Sequence, residues 1–92
     1  MAGMPEVRLS PAIRRQVDAD PLQVEASTTR EALEAFFAVA PQARSWVVDD
    51  RGCPWPHVAL FVDGKPVADR ENLNDALQPD SVVEVWPALS GG

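Results

Sequence analysis

The sequence predicts an α+β fold in which a small mixed β-sheet packs on one main α-helix. Three observations carry that expectation. Short apolar or alternating runs near 7–10, 22–26, 57–62 and 82–86 have strand character. A single stretch between the second and third runs, with Leu33, Phe36, Phe37 and Ala40, repeats at helical spacing. With 92 residues in all, these pieces have room for one core and one domain.

Val7, Arg8, Leu9 and Ser10 alternate apolar and polar, the period of a half-buried strand, and Pro11 closes the segment or turns it at an edge. Val17-Asp18-Ala19-Asp20-Pro21 reads as a turn. Leu22, Val24 and Ala26 then alternate with Gln23 and Glu25 as a second strand, so the pair predicts an antiparallel hairpin. Thr28 with Glu31 three residues later is a capping box, which starts the helix. The helix runs to about Ala40 because Pro41 stops it, and its apolar stripe belongs to the core.

Residues 41–48 hold one more helical turn, with Trp46 and Val47 tucked against the domain. Asp49-Asp50-Arg51-Gly52 is a loop whose adjacent carboxylates are solvated, with no third metal ligand indicated. The run 57–62 is apolar on both faces, which predicts a central strand covered on two sides. Asp63-Gly64 marks a tight hairpin turn, and Lys65-Pro66-Val67 begins its return. Residues 72–77 read as a short helical turn and Pro79-Asp80-Ser81 as another turn. Residues 82–86 form the last strand, with Val83 and Val85 on one face and Val82, Glu84 and Trp86 on the other.

Composition narrows the function. The net charge is −6, and no basic stripe with interleaved aromatics is present, so nucleic acid is an unfavourable partner. No apolar run approaches the roughly 20 residues that span a bilayer. The N-terminal residues lack the basic start and apolar core of a signal peptide, so membrane attachment is not expected and the location expected is cytoplasmic. Cys53 is the one cysteine and His57 the one histidine, separated by a proline-rich loop that holds the backbone extended and the side chains apart. Loop residues beside a strand account for them better than a catalytic pair, and neither a metal site nor a bound cofactor is expected.

After Trp86 the chain reads Pro87-Ala88-Leu89-Ser90-Gly91-Gly92. Pro87 lacks the amide that a ladder needs, so residues 1–86 are expected to form the domain and 87–92 a flexible tail. Six extended residues span at most about 20 Å.

The order strand, strand, helix, strand, short strand, helical turn, strand, followed by this Gly-Gly ending, resembles the ubiquitin-like β-grasp sulfur carriers of the MoaD, ThiS and CysO type. The resemblance covers residues 7–92 and rests most specifically on Gly91-Gly92. Its length and its Pro-Ala-Leu-Ser-Gly-Gly ending look closest to the MoaD and CysO types.

The resemblance implies that the chain is no enzyme. A partner adenylyltransferase of the ubiquitin-activating type (MoeB- or ThiF-like) would use ATP to adenylate the Gly92 carboxylate. A sulfur donor would convert that terminus to a thiocarboxylate, and a downstream synthase would accept the sulfur. It also implies partner contacts by Gly91, Ser90, Leu89 and Trp86, and docking on the sheet face away from the helix, where Leu60, Val62, Val82 and Trp86 are candidates. Three alternatives stay open: the small subunit of a molybdopterin synthase, a ubiquitin-like modifier conjugated through Gly92, and a non-covalent binding module.

Overall fold

The structure, a computed structural model, describes residues 4–88. Strand β1 (Glu6–Leu9) is followed by helix α1 (Pro11–Arg14), β2 (Leu22–Gln23) and the main helix α2 (Thr29–Val39). A 3₁₀ turn (Pro41–Ala43) then leads into α3 (Arg44–Val47), the hairpin β3 (Val58–Val62) and β4 (Lys65–Pro66), and finally β5 (Val82–Pro87). The five strands form one mixed sheet in the order β2-β1-β5-β3-β4. Only β1 and β5 run parallel; the other pairs are antiparallel.

The expected antiparallel pairing of the first two strands is present, with Val7 opposite Leu22. Its connection differs from a plain turn. Pro11 does not edge the strand; it opens α1, where its fixed φ fits the first helical position and its missing N–H would have had no partner. The Ser10 hydroxyl accepts from the Ile13 N–H at 3.3 Å, and Ile13 is buried.

Helix α2 starts and stops as its sequence predicts. Thr28 Oγ1 accepts from the Glu31 N–H at 3.2 Å, and Glu31 Oε1 reaches back to the Ser27 N–H at 2.9 Å. Leu33, Phe36, Phe37 and Ala40 are all buried. The helical continuation after Pro41 is present, with Val47 fully buried, but Trp46 is not tucked in: it stands 44% exposed.

Residues 72–77 are not a helical turn. Leu73 takes a left-handed conformation, φ +55°, and the segment turns its carbonyls toward the start of α2. Leu73 O accepts from the Arg30 N–H at 2.8 Å and Asp75 O from the Thr29 N–H at 3.0 Å. Both donors are first-turn amides with no partner inside their own helix. A helical turn would have drawn those carbonyls into its own hydrogen bonds.

The strand at the centre of the sheet is β5, not β3. β3 lies one place from the edge, and only one of its faces enters the core: Val58 and Leu60 are buried, Ala59 and Phe61 half-buried. The Asp63-Gly64 turn has positive φ at both residues, +53° and +82°, as a two-residue hairpin with type I′ geometry requires. β5 presents Val83 and Val85 inward, both 0% exposed, and runs through Pro87, one residue past its expected end. Asp63 N–H donates to Val82 O and Ala88 N–H to His57 O, so alternation makes Val58 and Pro87 a non-hydrogen-bonded pair. The proline nitrogen therefore interrupts no bond to β3.

Candidate functional site

The outer face of the sheet is the surface that the described structure leaves open beside the end of β5. Along β5, Val82, Glu84 and Trp86 point outward; on β3 their neighbours are Phe61, opposite Glu84, and Ala59, opposite Trp86. Trp86 is 39% exposed, so much of its ring faces solvent on this side of the sheet. It divides the face into two grooves. One is mostly apolar and runs past Ala59, Phe61, Pro87 and Ala88; the other is lined by Arg8, Arg14, Arg15, Pro11 and Pro21, and Glu84 borders both.

Leu60 does not belong to this surface, because it is 1% exposed and sits opposite Val85 in the core. Val62 is partly buried and packs against the core. Val82 and Trp86 are on the outer face, as the docking reading requires. Ala59 and Phe61 join them there, unforeseen from an apolar run with no alternation. The parity of β3 follows from register alone: once Val85 is inward, its partner Leu60 is inward and the flanking residues face out.

Ala88, the last described residue, is anchored. Ala88 N–H donates to His57 O at 2.8 Å, and the His57 ring stacks on Trp55 with centroids 6.1 Å apart and planes 14° from parallel. Leu89, Ser90, Gly91 and Gly92, the other expected site residues, lie outside the described residues.

The first of the two loop carboxylates serves the backbone. Asp49 Oδ1 accepts from the N–H groups of Arg51 at 2.9 Å and Cys53 at 3.1 Å, and the Cys53 amide above all holds its carboxyl below the ordinary value. The Cys53 thiol lies 3.4 Å from the Glu71 carbonyl, while His57 is engaged with Trp55, so each has its own neighbour. Among the described residues, no three His, Cys, Asp or Glu side chains are grouped to hold a metal ion, and no helix is long and apolar enough to cross a membrane.

No protein-family model matches the chain, and no curated protein does. Solved structures match it over nearly its whole length. SAMP1 from Haloferax volcanii is 24% identical with a TM-score of 0.78, covering 98% of this chain and 100% of that one. A chain of the BexX/CysO complex from Amycolatopsis orientalis is 13% identical with a TM-score of 0.76, covering 96% and 99%. A chain of the complex of subunits 1 and 2 of molybdopterin-converting factor from Helicobacter pylori is 22% identical with a TM-score of 0.60, covering 97% and 99%. CysO and the molybdopterin factor are the types that the sequence itself resembles, and the helix-backed mixed sheet agrees with them in architecture. At these identities the likeness is one of fold, and that fold is the ubiquitin-like β-grasp.

Proposed function

We propose that this chain is a sulfur carrier, a co-substrate protein that presents the Gly92 carboxylate to partner enzymes. One observation carries the reading: the central strand of a β-grasp sheet brings the chain to Ala88 at the rim of an open apolar face, and Leu89-Ser90-Gly91-Gly92 follows directly.

A carboxylate resists nucleophiles because it is anionic and has no good leaving group. In a partner adenylyltransferase the Gly92 carboxylate attacks the α-phosphorus of ATP and expels pyrophosphate, giving an acyl adenylate. Hydrosulfide then adds to the acyl carbon and AMP leaves, so the terminus becomes a thiocarboxylate. A persulfide donor gives the same product after a thiol cleaves the acyl disulfide. The sulfur is now a nucleophile on a protein handle, ready for a synthase that makes cysteine, molybdopterin or another sulfur-containing metabolite. Gly91 and Gly92 lack a Cβ, which lets the backbone approach a nucleotide closely. Ser90 and Leu89 are the partner-contact residues of the tail, and Trp86 that of the domain. ATP is the partner's substrate; the carrier holds no cofactor. We assign this work to the cytoplasm, where thiols stay reduced.

Intact mass tests the proposal. Incubation with ATP, sulfide and an adenylyltransferase should raise the mass by the difference between one sulfur and one oxygen, located at Gly92. Gly91→Ala should impair this conversion while leaving the folded domain intact. Unchanged mass with every adenylyltransferase of the source cell, or full activity after deletion of Gly92, would sink the reading. The likeness to SAMP1, a small archaeal modifier protein, favours one second reading, conjugation of Gly92 to lysines of other proteins. It appears in the same experiment as adducts at higher mass.

A further inference from the structure

The apolar half of the outer face is a natural partner surface, but the half on the α1 side of Trp86 has a different chemistry. The chain has 14 acidic residues against 8 basic ones and a net charge of −6. Even so, Arg8, Arg14 and Arg15 converge on this groove, and among the described residues Glu84 is the one carboxylate lining it. β1 supplies the first arginine; α1 and the residue capping it supply the other two.

We propose that this groove is the docking site for a carboxylate-rich segment of the protein that activates the tail, with Trp86 inserted between that segment and an apolar ridge on the partner. The inference rests on the carrier reading above and names the partner chemistry of its docking face.

Three features support it. First, the arginines are available. Arg8 pairs with Glu6 and Arg14 with Asp20, but these pairs are solvent-exposed, with side-chain exposures of 44% and 27% and of 40% and 87%. Exposed pairs contribute little to stability, so incoming carboxylates can replace them at little cost. Arg15 has no ion-pair partner among the described residues. Second, the residue type fits. A guanidinium fork binds a carboxylate in a bidentate way that a lysine ammonium does not reproduce. Third, the surrounding charge fixes orientation. A chain at −6 disfavours an acidic segment over most of its surface, and the three arginines favour it here, which orients the partner with Ala88 on the far side of Trp86.

Two measurements test this, and their failures are distinct. In the first, the ¹⁵N-labelled chain is titrated with a short peptide alternating glutamate and leucine, and with its glutamine–leucine counterpart as control. The expected result is shifts at the Trp86 indole and the Arg8, Arg14 and Arg15 side chains with the glutamate peptide. Affinity should drop steeply with added salt and at least tenfold in Arg14→Glu/Arg15→Glu. The milder Arg14→Gln/Arg15→Gln variant, which leaves the α1 surface neutral, should show an intermediate loss if folding is intact by circular dichroism. Equal binding of both peptides, shifts centred elsewhere, or undiminished affinity in the glutamine variant would overturn the proposal. In the second, the adenylyltransferase that converts Gly92 is assayed with each variant. KM for the chain should rise at least tenfold with kcat unchanged; an unchanged KM would also overturn it. If no enzyme converts wild-type Gly92, the carrier reading fails, and the peptide titration still decides whether the groove binds carboxylates.

Discussion

Asp75 shows how one side chain replaces an element of regular structure. Its two carboxylate oxygens accept from the Ala68 and Asp69 N–H groups, each at 2.9 Å, while its own carbonyl takes the Thr29 N–H and hydroxyl. The amide donors, Ala68 first, hold its carboxyl below the ordinary value of 3.8. A carboxyl depressed in the folded state stabilises that state fully above the unfolded value. That stability is lost as pH falls from the unfolded value through the folded one, because the unfolded chain takes up its proton first. Asp75→Asn should therefore be less stable than wild type at neutral pH and lose less stability on acidification. Urea midpoints measured between neutral pH and the acid limb check this, and parallel curves would rule it out. Glu31 and Asp49 are depressed in the same direction, so some acid sensitivity stays in the variant. The same region explains why residues 72–77 misread as a helical turn. Leu73 and Leu77 are both buried, as a one-turn spacing of apolar residues suggests, but Leu73 reaches the core through a left-handed backbone. That conformation costs about 1–2 kcal/mol for a residue with a Cβ, and burial of a leucine side chain contributes about 1.5–3 kcal/mol. Burial wins, and no local sequence rule records the trade.

Elements with local causes were legible, and those with distant causes were not. α2 is written in Thr28, Glu31, the apolar stripe and Pro41, and the β3–β4 hairpin in Asp63-Gly64. α1 was equally legible in principle, since Ser10-Pro11 is a cap followed by a first-turn proline, yet one turn of helix is too short to show an apolar period. Strand order lies beyond local reading. β5 becomes central because β1 pairs with it in parallel across most of the chain's length, a contact that nothing within either strand announces. The cap is the feature of α2 most open to test. Thr28 Oγ1 satisfies the Glu31 amide, and the return bond from Glu31 goes to Ser27, one residue earlier than in the usual box. Thr28→Ala should lower stability by about 1 kcal/mol, read from urea denaturation. In a cycle with Glu31→Gln the two losses should fall short of additivity, because both act on the same helix start. Additive losses would mean that the two bonds act independently.

Across the whole molecule, β5 joins the core to the proposed docking face, one on each side of the strand. Val83 and Val85 point into the core at 0% exposure, and Val82, Glu84 and Trp86 point out along the same strand. The strand is hydrogen-bonded on both sides, to β1 and β3, so the stem at Ala88 is carried by the best-supported element of the sheet. The proposed carrier role, in which the terminus is offered to partner enzymes, calls for a rigid base and a face free of core duties. Alternating residues at the end of β5 should therefore divide cleanly in their effects. Val85→Ala removes fully buried apolar area and should cost about 2 kcal/mol of stability, with unchanged KM for conversion of Gly92 once the protein is folded. Trp86→Thr keeps strand propensity and should cost less stability than Val85→Ala, yet raise KM at least tenfold, as removal of a central aromatic contact does. Denaturation midpoints and adenylation kinetics on the two variants make the comparison. If Trp86→Thr were the more destabilising change and left KM alone, the outer face would be a structural surface, and docking would have to be sought elsewhere on the domain.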